Sequence, residues 1–214
     1  MTTLHDGSRV LQVGAPLGDG AAVVIMVHGR GAGPENILDL VGPLDRPAVT
    51  YLAPAAAEHS WYPRSFMSPI AENEPKLSSA LSRIGALVDD VVAAGVPRER
   101  IVLLGFSQGA CLSGEFVVRH QARYGGIAML SGGLIGPAGT TWPAGAGLAG
   151  TPVFLGCSDR DAHIPLERVE ESAAVLGRLG GDVTLRIYPG MGHLVSADEV
   201  VEVRALLDRV LGTV

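Results

Sequence analysis

Cysteine is scarce in this 214-residue chain: Cys111 and Cys157 are its only two, too few for a disulfide framework or a four-ligand zinc knuckle. A reducing setting is the simplest reading. Long apolar runs are missing as well, and the most apolar stretch, Ala21 to Val27, falls far short of the roughly 20 residues that cross a bilayer. Stable membrane insertion is not expected. Runs of five like charges are absent, and 16 basic residues against 22 acidic ones give a net charge of −6, which offers no footprint for nucleic acid or for a polybasic membrane patch. The expected partner is a small molecule of little charge. No basic region leads into an apolar stretch in Met-Thr-Thr-Leu-His-Asp-Gly, so no secretory leader is read there and a cytoplasmic location is expected. Repeats of fixed period and Ser- or Gly-only linkers are also lacking, so residues 1–214 read as a single domain.

What the chain has in plenty is glycine, 29 residues, with 14 prolines, a turn-rich composition that stays below the roughly 25 to 30% at which disorder becomes the better reading. Short β-branched runs ended by these residues alternate with segments of helical period. That is the pattern of a mostly parallel sheet covered by helices on both faces. Strands are expected at Ala21 to Val27, Ala48 to Ala53, Ile101 to Leu104, Gly126 to Leu130, Pro152 to Leu155 and Val183 to Tyr188, with a more polar edge strand around Val10 to Ala15. Amphipathic helices are expected from Leu77 to Val92, Leu166 to Leu179 and Val200 to Leu211, where apolar residues recur every three or four positions. The exposed face of the last could support a homodimer. Ala55 to Pro75 and Ile135 to Gly150 lack periodicity, and long loops in compact domains tend to be functional. Trp61, Tyr62 and Phe66 in the first and Trp142 in the second are therefore expected to wall a binding cleft.

Gly105-Phe106-Ser107-Gln108-Gly109 matches Gly-x-Ser-x-Gly, weak evidence by itself in so glycine-rich a chain. Its context strengthens it. Ile-Val-Leu-Leu precedes it, and Ala110, Leu112, Phe116 and Val117 follow at helical spacing, giving strand, tight turn, helix. Such a turn lifts the Ser107 hydroxyl clear of the sheet at the amino end of a helix, whose dipole favours developing negative charge. A serine hydroxyl is a poor nucleophile, so it needs a histidine to take its proton and an acid to hold that histidine in one tautomer. Of the histidines that follow, His120 lies at the far end of the serine's helix and suits carbonyl capping. His163 lies close behind Asp161 and suits the rim or the start of the next helix. His193, in Pro189-Gly190-Met191-Gly192-His193 after the last strand, suits the base. Asp159 and Asp161 both follow the strand that begins at Pro152, and spacing does not separate them. Asp182 precedes a strand and belongs to the opposite edge. Oxyanion donors are expected from the Gln108 amide and from the turn His28-Gly29-Arg30-Gly31-Ala32-Gly33, at Arg30, whose side chain would be free to face substrate or solvent. That turn is no dinucleotide fingerprint, because Pro34 stands after Gly33 and no acidic residue for a ribose closes the next strand.

His28-Gly29-Arg30-Gly31, Gly105-Phe106-Ser107-Gln108-Gly109, Asp161-x-x-Ile164-Pro165 and Gly192-His193, in that order, make the chain resemble the phospholipase/carboxylesterase family of α/β-hydrolases, over most of its length. The resemblance implies the α/β-hydrolase fold without a large lid domain and places the acid at Asp161. It also implies a Ser107, Asp161, His193 triad, Arg30 and Gln108 amides as the oxyanion hole, and no metal or organic cofactor. The implied activity is serine carboxylesterase on short- to medium-chain esters, with acyl thioesterase or lysophospholipase as the alternative using the same triad, and a non-catalytic small-molecule binding module as a remote one. Trp61, Tyr62, Phe66, Trp142 and His163 are the expected substrate contacts. Thioesterase-like members commonly carry a Leu-Gly-Asp type turn where this chain has Arg30-Gly31-Ala32, which weakens the protein-depalmitoylase reading. Dienelactone hydrolases share the architecture but use a cysteine nucleophile.

Overall fold

In the computed structural model, which describes residues 4–18, 21–145 and 147–212, seven strands form one sheet in the order β1-β3-β2-β4-β5-β6-β7. In chain order these are β1 (Val10–Gly14), β2 (Ala22–Val27), β3 (Val49–Pro54), β4 (Ile101–Phe106), β5 (Gly126–Leu130), β6 (Pro152–Ser158) and β7 (Asp182–Tyr188). β1 pairs antiparallel with β3 at one edge, and every other neighbour pair is parallel. The α/β-hydrolase fold expected from the resemblance is the fold observed. Residues 1–3, part of the amino-terminal stretch, and Ala146, inside the loop expected over 135–150, lie outside the described residues.

The central strands are apolar on both faces because both faces are covered. Alternate residues serve opposite layers. Val23, Ile25, Val27 and Leu103 pack toward α4 (Lys76–Ala93), α5 (Gln108–Arg119) and α6 (Leu166–Arg178), where Leu77, Ile84, Phe116 and Leu176 meet them. Val24, Met26, Tyr51 and Leu104 pack toward α1 (Pro34–Leu38), α2 (Val41–Leu44) and α7 (Ala197–Leu211) through Ile37, Leu44 and Leu207. The apolar face of α7 is thus turned to the sheet, and Val201 is its only exposed large apolar side chain among the described residues, at 53%. No helix of the described residues is long and apolar enough to cross a membrane.

Where structure and sequence expectation differ, tertiary pairing is the reason. β4 runs two residues past Leu104, to Phe106, because Gly105 and Phe106 pair with Met129 and Leu130. β6 runs to Ser158 because Cys157 and Ser158 pair with Ile187 and Tyr188. The short helices α1 and α2, and α3 (Ile70–Asn73) inside the stretch expected to be irregular, are too brief to show a period. The chain leaves β2 toward β3 on one side, whereas β4 lies on the other, so a crevice opens at the carboxyl ends of β2 and β4. His28 follows β2 there and Ser107 follows β4.

Candidate active site

Ser107 sits between β4 and α5 at φ 56° and ψ −119°, a left-handed conformation that costs a non-glycine residue free energy and persists only where its surroundings enforce it. Two glycines make the turn possible. A Cβ on Gly105 would lie 2.3 Å from the Gly109 carbonyl oxygen, and one on Gly109 would lie 2.0 Å from that of Val27. The Ser107 amide donates to the Leu130 carbonyl at 2.9 Å, fixing the turn to β5.

The loop after β7 brings His193 onto the hydroxyl, with Nε2 2.8 Å from Ser107 Oγ. On the far side of the ring, Nδ1 lies 2.6 Å from Asp161 Oδ2. A carboxylate only accepts, so Nδ1 carries the proton and Nε2 is left to accept the serine's. The other oxygen of Asp161 accepts from the amides of His163 at 2.8 Å and Ile164 at 3.1 Å. Burial disfavours the Asp161 carboxylate, yet the hydrogen bonds from His193, His163 and Ile164 outweigh it and hold its pKa below the usual aspartate value. Asp159 faces elsewhere: its Oδ1 accepts from the Gly190 amide at 2.7 Å, and Ser158 Oγ accepts from Gly192 at 3.1 Å. The rings of Phe106 and His163 flank His193, with centroids 4.9 and 4.8 Å away. His120 is remote from this cluster, as expected, with Nδ1 on the Phe116 carbonyl at the end of α5.

A cleft of about 680 Å³ opens beside Ser107, walled by Tyr62, Phe66, Phe106, Ile164 and His163. A second hollow of about 430 Å³ reaches Asn36 and Ile37 and shares Gly29, Arg30, Ala32 and Phe106 with the first. The Arg30 amide has no acceptor among the described residues, and the Gln108 amide, in the first turn of α5, has no intrahelical one.

Three expectations about side chains need correction. Trp61 is fully buried and lines neither hollow; its indole N–H donates to the His28 carbonyl at 2.9 Å, and its ring packs against His28 and His5. Trp142 also lies outside the cleft, because it stacks on the Arg168 guanidinium and points its indole N–H at Glu115. The Arg30 side chain is not free: it donates to Ser60 Oγ at 3.2 Å and to the carbonyls of Pro63 at 2.9 Å and Arg64 at 2.6 Å.

Gln108 does more than sequence reasoning assigned it. Its carboxamide oxygen accepts from the Trp61 amide at 3.0 Å and its nitrogen donates to the Tyr62 carbonyl at 2.8 Å. Phe106, Ile164 and Arg64 in the cleft were also missed. Phe106 and Ile164 stood inside the motifs already noted, whereas nothing local marks Arg64. Cys111 closes the cleft floor with its thiol pushed up to about 12 by burial, which makes it inert there.

A phospholipase/carboxylesterase profile matches residues 9–211. A solved phospholipase/carboxylesterase from Dyadobacter fermentans is 37% identical, covers 97% of this chain and 98% of its own, and superposes with a TM-score of 0.89. Acyl-protein thioesterase 1 of Gibberella zeae is 38% identical over 128 residues, 58% of this chain and 54% of that one. Carboxylesterase SOBER1 of Arabidopsis thaliana is 26% identical over 159 residues, 72% of this chain and 69% of that one. The chain spans about half the length of the first curated relatives it matches. By its matched length, its fold and the order of its motifs, the chain belongs to the phospholipase/carboxylesterase family of α/β-hydrolases.

Proposed function

We propose that this protein is a serine carboxylesterase that hydrolyses short- to medium-chain esters through an acyl-enzyme on Ser107. The observation that carries the reading is the unbroken hydrogen-bond line from Asp161 through His193 to the Ser107 hydroxyl. His193 takes the serine proton as Oγ attacks the carbonyl, and Asp161 holds the ring and stabilises the imidazolium. The Arg30 and Gln108 amides, which lack acceptors among the described residues, receive the oxyanion, helped by the amino end of α5. His193 then returns the proton to the leaving alcohol, and water, activated by the same ring, releases the acid. Tyr62, Phe66, Phe106 and Ile164 offer an apolar wall of modest extent, which suits a short or medium acyl chain. Two free, buried cysteines support a cytoplasmic setting.

Likeness to an acyl-protein thioesterase favours one second reading, cleavage of thioesters by the same residues. Rates on an oxygen ester and a thioester of one acyl chain separate the two. The esterase itself is tested with 4-nitrophenyl butyrate and an active-site phosphonate. Turnover and labelling are both expected in the parent protein, and Ser107→Ala is expected to lose both. A variant as active as the parent would overturn the assignment.

A further inference from the structure

The cleft beside Ser107 is lined by two arginines in an acidic protein. Its lining includes Arg30 and Arg64 and contains no aspartate or glutamate, although the chain as a whole carries a net charge of −6. The acidic residues near the cleft have partners of their own. Glu35 pairs with Arg9 and Glu58 with Lys76, while Asp159 accepts from the Gly190 amide and Asp161 from His193. Arg30 is held only by uncharged acceptors, the Ser60 hydroxyl and two carbonyls, so its charge is fixed in place without being cancelled.

Most arginines of the chain have partners; Arg64, like the exposed Arg160 and Arg178, has none among the described residues, and of these three it alone lines the cleft. Arg46, Arg119, Arg168 and Arg186 each meet a carboxylate, and Arg83, Arg123 and Arg204 donate to hydroxyl or carbonyl oxygens. The Arg64 backbone is pinned on both sides, its amide donating to Asn73 Oδ1 at 2.8 Å and its carbonyl accepting from Arg30. Its guanidinium makes no hydrogen bond or ion pair among the described residues. An anchored backbone thus presents an uncommitted planar cation at a cleft wall. A guanidinium in that state suits a carboxylate, which it can take with two parallel hydrogen bonds, and a cleft of one sign concentrates ligands of the other.

Resting on the esterase reading, we propose that the preferred substrates are esters that carry a second, carboxylate group, and that Arg64 recognises that group. The proposal reverses the expectation of an uncharged partner drawn from overall charge.

The test uses matched pairs that differ only in charge. Phenyl hydrogen adipate against methyl phenyl adipate puts the carboxylate on the acyl side, and 4-acetoxybenzoate against its methyl ester puts it on the alcohol side. In at least one pair the parent protein should favour the charged member in kcat/KM by about tenfold, allowing for each ester's spontaneous rate, and about 0.5 M salt should shrink that preference. Arg64→Gln should bring the ratio toward one, and Arg64→Glu should invert it. A ratio at or below one in both pairs would sink the proposal, and so would a preference that neither Arg64 variant changes. Hydrolysis of the neutral members, and its loss in Ser107→Ala, reports the esterase reading separately.

Discussion

Asp159 and Asp161, two residues apart after β6, both hold the loop that carries His193, one by its backbone and the other by its ring. Asp161 Oδ2 receives the imidazole Nδ1–H at 2.6 Å, whereas Asp159 Oδ1 receives the Gly190 amide at 2.7 Å. The first interaction sets the tautomer and, in the proposed reaction, meets the charge that develops; the second holds the loop by its backbone. Asp161→Asn should therefore lower kcat by on the order of 10⁴, as expected when the histidine is held in the wrong tautomer. Asp159→Asn keeps an acceptor oxygen and should cost about tenfold or less, the scale of one weakened hydrogen bond. Steady-state kinetics of both variants on a neutral ester check this, and equal losses would remove the distinction.

The nucleophile turn makes a stability prediction that does not depend on activity. Gly105→Ala and Gly109→Ala each force a methyl against backbone at 2.3 and 2.0 Å, where no flexible side chain can give way. Overpacking of this kind costs about 3 kcal/mol or more once the backbone must shift. At Gly29 the nearest atoms to an added Cβ are Ser107 Cβ at 3.4 Å and the Phe106 ring at 3.5 Å, ordinary contact distances. Gly29→Ala should stay within about 1 kcal/mol of the parent. Urea unfolding of the three variants gives the ranking directly.

Strands and long helices were legible because each short apolar run or helical period is local, and so was the order of the motifs along the chain. What could not be read was anything decided by side-chain partners distant in sequence. Trp61 and Trp142 have the composition of cleft walls, yet a histidine cluster takes one and Arg168 takes the other. Spacing left Asp159 and Asp161 equivalent, because a period of two puts both on one loop with no sign of which reaches the ring. Arg30 looked free because its acceptors, Ser60, Pro63 and Arg64, stand some thirty residues away in a stretch without periodicity.

Two buried histidines below that stretch give it a pH dependence. His5 Nδ1 accepts from the Ala57 amide at 3.0 Å and His28 Nε2 accepts from the Ala56 amide at 3.1 Å, while their other nitrogens face the carbonyls of Trp61 and Gly29. Each ring is therefore a neutral donor and acceptor at once. Burial lowers both pKa values below the ordinary 6.5. A depressed folded-state pKa means that the unfolded chain binds the extra proton more readily. The stability these rings contribute is thus whole above about pH 6.5 and is lost as the pH falls toward their folded values. Melting temperature should fall between pH 7 and pH 5, and His5→Gln, though less stable at pH 7, should show a shallower decline. The lowered pKa of Asp161 acts in the same direction but at lower pH, below the ordinary aspartate value near 3.8, so the two contributions separate along the titration.

The strap from Ser60 to Arg64 is tied to the residues proposed to bind the oxyanion, since Gln108 holds the Trp61 amide and Tyr62 carbonyl while Arg30 holds Ser60, Pro63 and Arg64. Both side chains can be removed without deleting either proposed backbone donor. Gln108→Ala leaves the Trp61 amide, fully buried beside it, without its acceptor, a loss of about 1 to 3 kcal/mol. The strap carries Tyr62 and leads to Phe66, so loosening it should blunt the dependence of kcat/KM on acyl length more than it lowers the rate on acetate, where the wall is hardly used. Gln108→Glu restores an acceptor for Trp61 but, while ionised, offers no donor to Tyr62, and should recover only part of the selectivity. An acyl series from acetate to octanoate on the parent and both variants reads the effect. A uniform drop across the series, with its shape preserved, would show that the Gln108 side chain supports the fold without shaping the pocket.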